Sequence, residues 1–151
     1  LLAHKAFREA VVAAEVISGL PSQFDPKAIP GVVYTEPQLA SVGMTEEEAR
    51  EKNIDVSIGK FPLIASGRAL ALGETVGFAK IISEKESDRV LGIHIVSPEA
   101  SSLIGEGVLA IEMEATSQDI GLSIHPHPTL CEILMEAAEN VHKRAVHILN
   151  R

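Results

Sequence analysis

The stretch that decides the fold runs from residue 76 to residue 96 and reads VGFAKIISEKESDRVLGIHIV. Two runs rich in β-branched residues, Val76 to Ser83 and Arg89 to Val96, flank a charged segment at residues 84–88. Such runs, joined by about five polar residues, are typical of a β-hairpin. The centre of the chain therefore predicts two antiparallel strands.

Strand patterns precede this hairpin, and helix patterns dominate after it. Further strands are predicted from β-branched or alternating patterns at residues 32–34, 38–42 and 55–63. Helices are predicted from apolar residues at helical spacing at residues 2–18, 98–114 and 128–148. A short helical turn is predicted at residues 117–120. Thr45 followed by Glu48 is a capping-box pattern, which predicts a short helix ending near Lys52. Residues 64–75, with Gly67 and Gly73, are expected to form an irregular connection.

Strands grouped before helices indicate an α+β fold, in which helices pack on one face of an antiparallel sheet. The helix at residues 2–18 meets a stop signal at Gly19 and Pro21. Residues 19–30 contain three prolines and resemble a linker. We therefore expect a separate N-terminal helix ahead of the sheet.

Composition limits the classes of partner. The chain has 151 residues, enough for one domain with a sizeable core, and 46% of them are hydrophobic. A net charge of -8 argues against nucleic acid and anionic membrane, because both attract basic surfaces. No apolar run approaches the roughly 20 residues of a membrane span. Cys131 is the only cysteine, which favours a reducing, cytoplasmic setting. The first residue is Leu rather than Met, so we expect a piece of a longer chain.

The segment HPHPTLCE, residues 125–132, predicts a general base at the start of the last helix. Pro128 favours the first helical position, which leaves His127 just outside the helix and Glu132 one turn inside. A neutral imidazole accepts protons near pH 7, and a carboxylate can hold its second nitrogen. The alternative is structural: His127 only starts the helix, and Glu132 complements the helix dipole.

The same segment contains residues typical of two other kinds of site. His125 and His127 could share a metal ion, but no third ligand lies nearby, so we predict no metal site. Cys131 in a first helical turn has the setting of a reactive thiol. More often, however, a cysteine in such a position is a small packing residue.

Taken together with several further motifs, His-x-His-Pro-Thr-Leu-x-Glu resembles the C-terminal signature of the dihydrolipoamide dehydrogenases, flavin-dependent members of the pyridine nucleotide-disulfide oxidoreductase family. The further motifs occur in the family's order: Leu2-Ala3-His4-Lys5-Ala6, Val33-Tyr34-Thr35-Glu36-Pro37, Val42-Gly43 with Thr45-Glu46, Lys60-Phe61-Pro62, Arg68-Ala69, Asp88-Arg89-Val90-Leu91-Gly92 and Ala137-Ala138.

This resemblance implies a function. His127 would be the catalytic base and Glu132 its orienter, while Ala3 and His4 would lie on the flavin side. The family is homodimeric, and the base reaches the redox disulfide and flavin of the other subunit. FAD and NAD are its cofactors, and the lipoyl domain of a 2-oxoacid dehydrogenase complex is its substrate. Residues 1–26 would be a remnant of the flavin-side domain and residues 27–151 the interface domain, in the cytoplasm or a mitochondrial matrix.

The chain departs from the family pattern in three ways. It has no GxGxxG and no CxxxxC, so we expect this chain alone to bind no cofactor and to be inactive. Cys131 replaces a usual Ser, and Pro126 replaces a small residue. Two rivals stay open: the interface domain of another reductase, such as glutathione reductase, and a non-catalytic dimerisation module. By resemblance, Leu130 favours the lipoamide branch.

Overall fold

A five-stranded antiparallel sheet forms the centre of the protein in this computed structural model, which describes residues 2–150. The strands are β1 (Gly31–Val33), β2 (Gln38–Gly43), β3 (Val56–Pro62), β4 (Phe78–Glu84) and β5 (Val90–Ser97). Their order across the sheet is β1-β2-β5-β4-β3. The predicted hairpin is β4–β5, with Phe78 opposite Val96. Leu1 and Arg151, the outer ends of the predicted ranges 1–26 and 27–151, lie outside the described residues.

Six helices surround or precede this sheet in the described part of the chain. They are α1 (Ala3–Ile17), α2 (Glu46–Glu51), α3 (Gly67–Leu72), α4 (Ala100–Glu112), α5 (Ser117–Leu122) and α6 (Glu132–Val141), with a 3-10 turn at Leu63–Ala65. The predicted capping box is confirmed at α2, where the Thr45 hydroxyl accepts from the Glu48 N–H and the Glu48 carboxylate accepts from the Thr45 N–H. The predicted separate N-terminal helix is α1.

The longer helices α4 and α6 pack on the same face of the sheet. Cross-strand partners on that face form one row: Gly59, Ile81, Ile93 and Val42. A Cβ added at Gly59 would lie 2.0 Å from the Ala137 carbonyl oxygen in α6. One added at Gly107 in α4 would lie 3.2 Å from Ile93. Both helices therefore meet the same row of residues, which confirms the predicted α+β fold.

The other face of the sheet carries polar side chains under α2. Lys80 Nζ lies 2.7 Å from the Glu46 carboxylate at the start of that helix. On the neighbouring strand, His94 Nε2 donates to the Met44 carbonyl oxygen at 3.0 Å, and His94 Nδ1 lies 2.6 Å from the Ser41 hydroxyl. These contacts hold α2 against the face opposite α4 and α6.

The prediction of an irregular connection at residues 64–75 is wrong. This segment contains the end of the 3-10 turn and the whole of α3. The Ser66 hydroxyl accepts from the Ala69 N–H at 3.4 Å, and Gly73, at φ +75°, ends the helix. Both are ordinary helix-boundary signals. The helix between these two signals has only six residues, which is too short to show a clear apolar periodicity.

The predicted last helix, residues 128–148, is too long at both ends. It begins at Glu132, so Pro128 does not occupy its first position. It ends because Lys143 adopts φ +58° and the Arg144 N–H returns to the Glu139 carbonyl oxygen at 2.9 Å, the pattern of a Schellman-type C-terminus. Residues 144–148 leave the helix, although Ala145 and Ile148 still pack against the core.

The apolar stripe of α6 is buried within the chain. Its buried hydrophobic members are Ile133, Leu134, Ala137, Ala138 and Val141. The sheet of the same chain therefore covers this stripe, which leaves none of these side chains exposed for a second subunit. On α1 the opposite holds, because Phe7 is 73% exposed and Ile17 is 86% exposed.

No helix among the described residues combines the length and apolar content that crossing a bilayer takes.

Candidate functional site

The structure brings His127 and Glu132 together at the start of α6. His127 Nδ1 lies 2.9 Å from Glu132 Oε1. The contact forms because His127 lies in the loop before the helix, where the chain turns the ring back over the first helical residue. The His127 side chain is 76% exposed and that of Glu132 is 20% exposed. Within residues 2–150, His127 Nε2 makes no hydrogen bond, so this nitrogen faces solvent.

The charge of Glu132 determines which nitrogen of His127 carries the proton. Partial burial pushes the pKa of Glu132 up, but hydrogen bonds from the Thr129 N–H and from His127 outweigh it, and the pKa lies below its ordinary value. An ionised carboxylate only accepts hydrogen bonds, so the proton of a neutral His127 lies on Nδ1. Its Nε2 then carries the exposed lone pair, the arrangement of a general base.

Thr129 fixes the loop on the helix side of His127. Its N–H donates to Glu132 Oε2 at 2.8 Å, and its hydroxyl donates to the Pro126 carbonyl oxygen at 2.6 Å. The T-x-x-E spacing of residues 129 to 132 is the sequence signal for this backbone-to-carboxylate contact. Cys131 Sγ lies 2.9 Å from the Thr129 hydroxyl and is half-buried, so it packs within the turn.

His125 and His127 point to different partners. His125 Nε2 lies 2.9 Å from Glu106 Oε1 in α4, and its side chain is only 7% exposed. His127 pairs instead with Glu132. The two imidazoles therefore do not converge on one point. Residues 2–150 contain no group of three or more His, Cys, Asp or Glu side chains that could hold a metal ion.

A second His–Glu pair lines the same hollow as the first. His147 Nδ1 lies 2.6 Å from Glu136 Oε1, and the Glu136 carboxylate also accepts from the Val146 N–H at 3.0 Å. The hollow measures about 200 Å³, and α3 forms its far wall. Glu136 lies one turn beyond Glu132 on α6, which a helical projection indicates. The return of His147 to this helix has no local sequence signal.

Ala3 and His4 lie elsewhere, at the start of α1. His4 Nε2 donates to the Pro30 carbonyl oxygen at 2.8 Å. His4, Lys5 and Arg8 line an open hollow of about 520 Å³ between α1 and the linker. This hollow shares no lining residue with the hollow beside His127. The chain therefore presents two separate candidate regions.

Comparisons with known proteins confirm the family resemblance. Residues 29–138 match the family model described as pyridine nucleotide-disulphide oxidoreductase, dimerisation domain. The chain is 56% identical over 151 residues to the dihydrolipoyl dehydrogenase of Thermus scotoductus, covering 100% of this chain and 32% of the relative. It is 43% identical over 148 residues to the mitochondrial dihydrolipoyl dehydrogenase of Pisum sativum, covering 98% and 30%. The chain thus spans about a third of the length of these curated relatives.

Solved structures share the fold. The HOCl-induced flavoprotein disulfide reductase RclA from Escherichia coli superposes with a TM-score of 0.78 at 27% identity, over 82% of this chain and 29% of that one. Its Cu(II) complex gives a TM-score of 0.79 at 28% identity, over 86% and 30%. In both cases the match is confined to under a third of the solved chain.

Proposed function

The chain belongs to the pyridine nucleotide-disulphide oxidoreductase family, as its dimerisation domain, and from this premise we propose that it supplies the catalytic base of a dihydrolipoyl dehydrogenase. Relatives of that name are 43% to 56% identical over nearly the whole chain. One observation carries the proposal: Glu132 holds His127 through Nδ1, while Nε2 faces solvent.

In the proposed reaction, His127 Nε2 accepts the proton of a dihydrolipoyl thiol. The thiolate attacks a redox disulfide that this chain does not contain, forming a mixed disulfide and releasing one enzyme sulfur as a thiolate. The second lipoyl sulfur then attacks the lipoyl sulfur of the mixed disulfide, which closes the lipoyl disulfide and breaks its bond to the enzyme. The released enzyme sulfur takes up the proton of the second thiol, and the enzyme pair is left reduced by two electrons. FAD, when bound, would carry those electrons to NAD as the final acceptor.

Glu132 has two roles in this scheme. It holds the imidazole in the tautomer whose Nε2 is free, and it neutralises the imidazolium that forms when the proton arrives. Partial burial raises the pKa of Glu132, but the hydrogen bonds from the Thr129 N–H and from His127 together bring it below its ordinary value, so the carboxylate is ionised at neutral pH. The reacting thiol reaches His127 from the solvent side, where the ring is exposed.

For the cofactors, the start of α1 would supply one edge of the flavin site. The first intrahelical hydrogen bond of α1 runs from the Ala6 N–H to the Leu2 carbonyl oxygen, so the N–H groups of Ala3 and His4 remain available to an outside acceptor. A ring carbonyl oxygen of FAD fits such donors. This placement supports the assignment of residues 1–26 to the flavin side and residues 27–151 to the interface domain.

We further propose a homodimer whose substrate is a lipoyl domain. The family description supports dimerisation, and so do large apolar side chains left exposed on, or just after, α4 and α5: Leu109, Met113, Leu122 and Ile124. A net charge of -8 disfavours nucleic acid and anionic membrane as partners. The relatives include a mitochondrial protein of pea, which is consistent with a matrix location, and a protein of the bacterium Thermus scotoductus, which is consistent with a cytoplasmic one.

The test uses the full-length enzyme that contains this chain. We expect His127→Gln to lower dihydrolipoamide-dependent NAD reduction by roughly 10²–10⁴-fold, the usual contribution of a general base. Flavin content and the transfer of electrons from NADH to a dye should stay unchanged, because neither needs the dithiol step. Wild-type turnover in a normally folded His127→Gln variant would overturn the proposal. Turnover of glutathione disulfide in place of dihydrolipoamide would favour the rival reductase.

A further inference from the structure

We propose that His125, paired with Glu106, is a positioning residue that holds the loop carrying His127 in its reactive geometry. The inference rests on the proposed function of His127 and deepens it. Residues 122–128 form an exposed run, and His125 is the residue within it whose side chain turns inward, with 7% exposure. Burying a polar ring inside an otherwise exposed loop requires hydrogen-bond partners, and His125 has two.

Both partners of His125 are hydrogen-bond acceptors. Its Nδ1 lies 2.9 Å from the Ser123 carbonyl oxygen, and its Nε2 lies 2.9 Å from Glu106 Oε1. The first contact closes a tight turn within the loop. The second ties the loop to α4, which itself packs on strands β2 and β5. His125 therefore fixes the exposed loop relative to the well-packed helix α4.

The backbone of His127 is held on both sides at equal spacing. Two residues before it, His125 is bound to Glu106. Two residues after it, Thr129 is bound to Glu132 and, through its hydroxyl, to the Pro126 carbonyl oxygen. Since the side chain of His127 is 76% exposed, surrounding atoms restrict it little. The direction of the His127 ring depends on the position of its backbone and on the Glu132 contact. Loss of the contacts of either His125 or Thr129 should therefore displace His127 Nε2.

The experiment measures dithiol turnover in the full-length enzyme. His125→Phe keeps a planar ring but loses both hydrogen bonds, and Glu106→Leu removes the acceptor from a helix surface that tolerates Leu. We expect each variant to lower kcat for dihydrolipoamide by about 10- to 100-fold, since a misplacement of about 1 Å can cost about 10²-fold. KM for dihydrolipoamide and the NADH-to-dye rate should not change.

Two further variants separate positioning from general stabilisation. In His125→Gln, the side-chain amide can still donate to Glu106, so this variant should keep most of the wild-type kcat. The double variant His125→Phe/Glu106→Leu should lose no more than either single variant, because the two side chains act as one unit. His142→Gln is the matched control: His142 forms a similar pair with Asp88, 3.2 Å away, at the opposite end of α6, and kcat should be unaffected.

Each outcome decides between the two proposals. If His127→Gln leaves turnover intact, the proposed function itself fails. If His127→Gln lowers turnover while His125→Phe and Glu106→Leu do not, the function stands and the positioning role is overturned. A loss in His142→Gln equal to that in Glu106→Leu would also overturn it, since loss of any such pair would then suffice. If His125→Phe does not fold, Glu106→Leu and His125→Gln still decide the question.

Discussion

Glu132 acts on His127 through charge as well as direction, and the two effects can be separated. A Gln at residue 132 keeps an oxygen that accepts from His127 Nδ1 but removes the negative charge beside the ring. In the full-length enzyme we expect Glu132→Gln to cost less turnover than the roughly 10²–10⁴-fold of His127→Gln. Steady-state kinetics with dihydrolipoamide measure the difference. An equal loss in both variants would contradict an orienting role.

Cys131→Ser is the natural control for that series. Cys131 Sγ contacts the Thr129 hydroxyl at 2.9 Å, and a Ser hydroxyl can replace that contact. If the thiol only packs within the turn, turnover should remain near wild type. A loss as large as that of His127→Gln would instead support the cysteine nucleophile.

His94 should make the stability of the protein depend on pH. Burial lowers the pKa of His94 below its ordinary value of 6.5, against the opposing hydrogen bond to the Met44 carbonyl oxygen. The unfolded chain therefore binds a proton more readily than the folded one. The contribution is complete above pH 6.5 and is lost as the pH falls from there through the folded pKa.

Urea unfolding of the full-length enzyme between pH 8 and pH 5 tests this expectation. The midpoint should fall on acidification, and His94→Gln should flatten the fall, because a neutral amide cannot take up the proton. Lys80, Glu46 and Glu48 face the same imidazole and remain in both proteins. Parallel pH profiles for wild type and variant would exclude His94 as the cause.

At the scale of elements, the packing of α6 on β3 depends on Gly59. A Cβ there would lie 2.0 Å from the Ala137 carbonyl oxygen and 2.6 Å from the Val141 nitrogen, so the helix would have to move. We expect Gly59→Ala to lower the free energy of unfolding by about 1–3 kcal/mol, the usual cost of overpacking.

Gly105 in α4 provides the matched control for this prediction. A Cβ at Gly105 meets nothing within 4 Å among the described residues, and the position is exposed. Gly105→Ala should therefore stabilise α4 by about 0.5–1 kcal/mol, because Ala loses less backbone entropy in a helix. Chemical denaturation of the two variants should show shifts of opposite sign. A loss of stability in both would contradict the helix packing described above.

At the scale of the whole molecule, the exposed apolar side chains of α4 and the adjoining loop should lie in the subunit interface. His125 contacts Glu106, so its neighbour Ile124 lies beside α4, where Leu109 is 63% exposed and Met113 is 71% exposed. In the full-length enzyme, we expect Leu109→Asp to weaken the dimer, because a charge would then be buried without a partner.

Sedimentation over a range of protein concentrations measures this effect. Val76→Asp is the control, since Val76 is similarly exposed, at 71%, but lies ahead of β4. It should leave the dimer intact. Dissociation by Val76→Asp, or an unchanged dimer with Leu109→Asp, would place the interface on a different surface.

Local sequence was enough for the features that depend on near neighbours. The hairpin at residues 76–96 is evident because its strands are β-branched and its turn is charged. The cap at Thr45 is evident because both of its partners lie within one helical turn. The approach of His127 to Glu132 is also local, since five residues separate them. These interactions close short loops, which costs little chain entropy.

Tertiary structure alone decided the rest. The return of His147 to Glu136 and the burial of the apolar stripe of α6 against the sheet both depend on where separate segments meet. His125 and Glu106 are 19 residues apart and on different elements, so no local pattern distinguishes an inward-facing His125 from its exposed neighbours. The local sequence is enough to identify His127 as the candidate base. The packing of α4 and α6 on one face of the sheet determines the position of the loop that carries it.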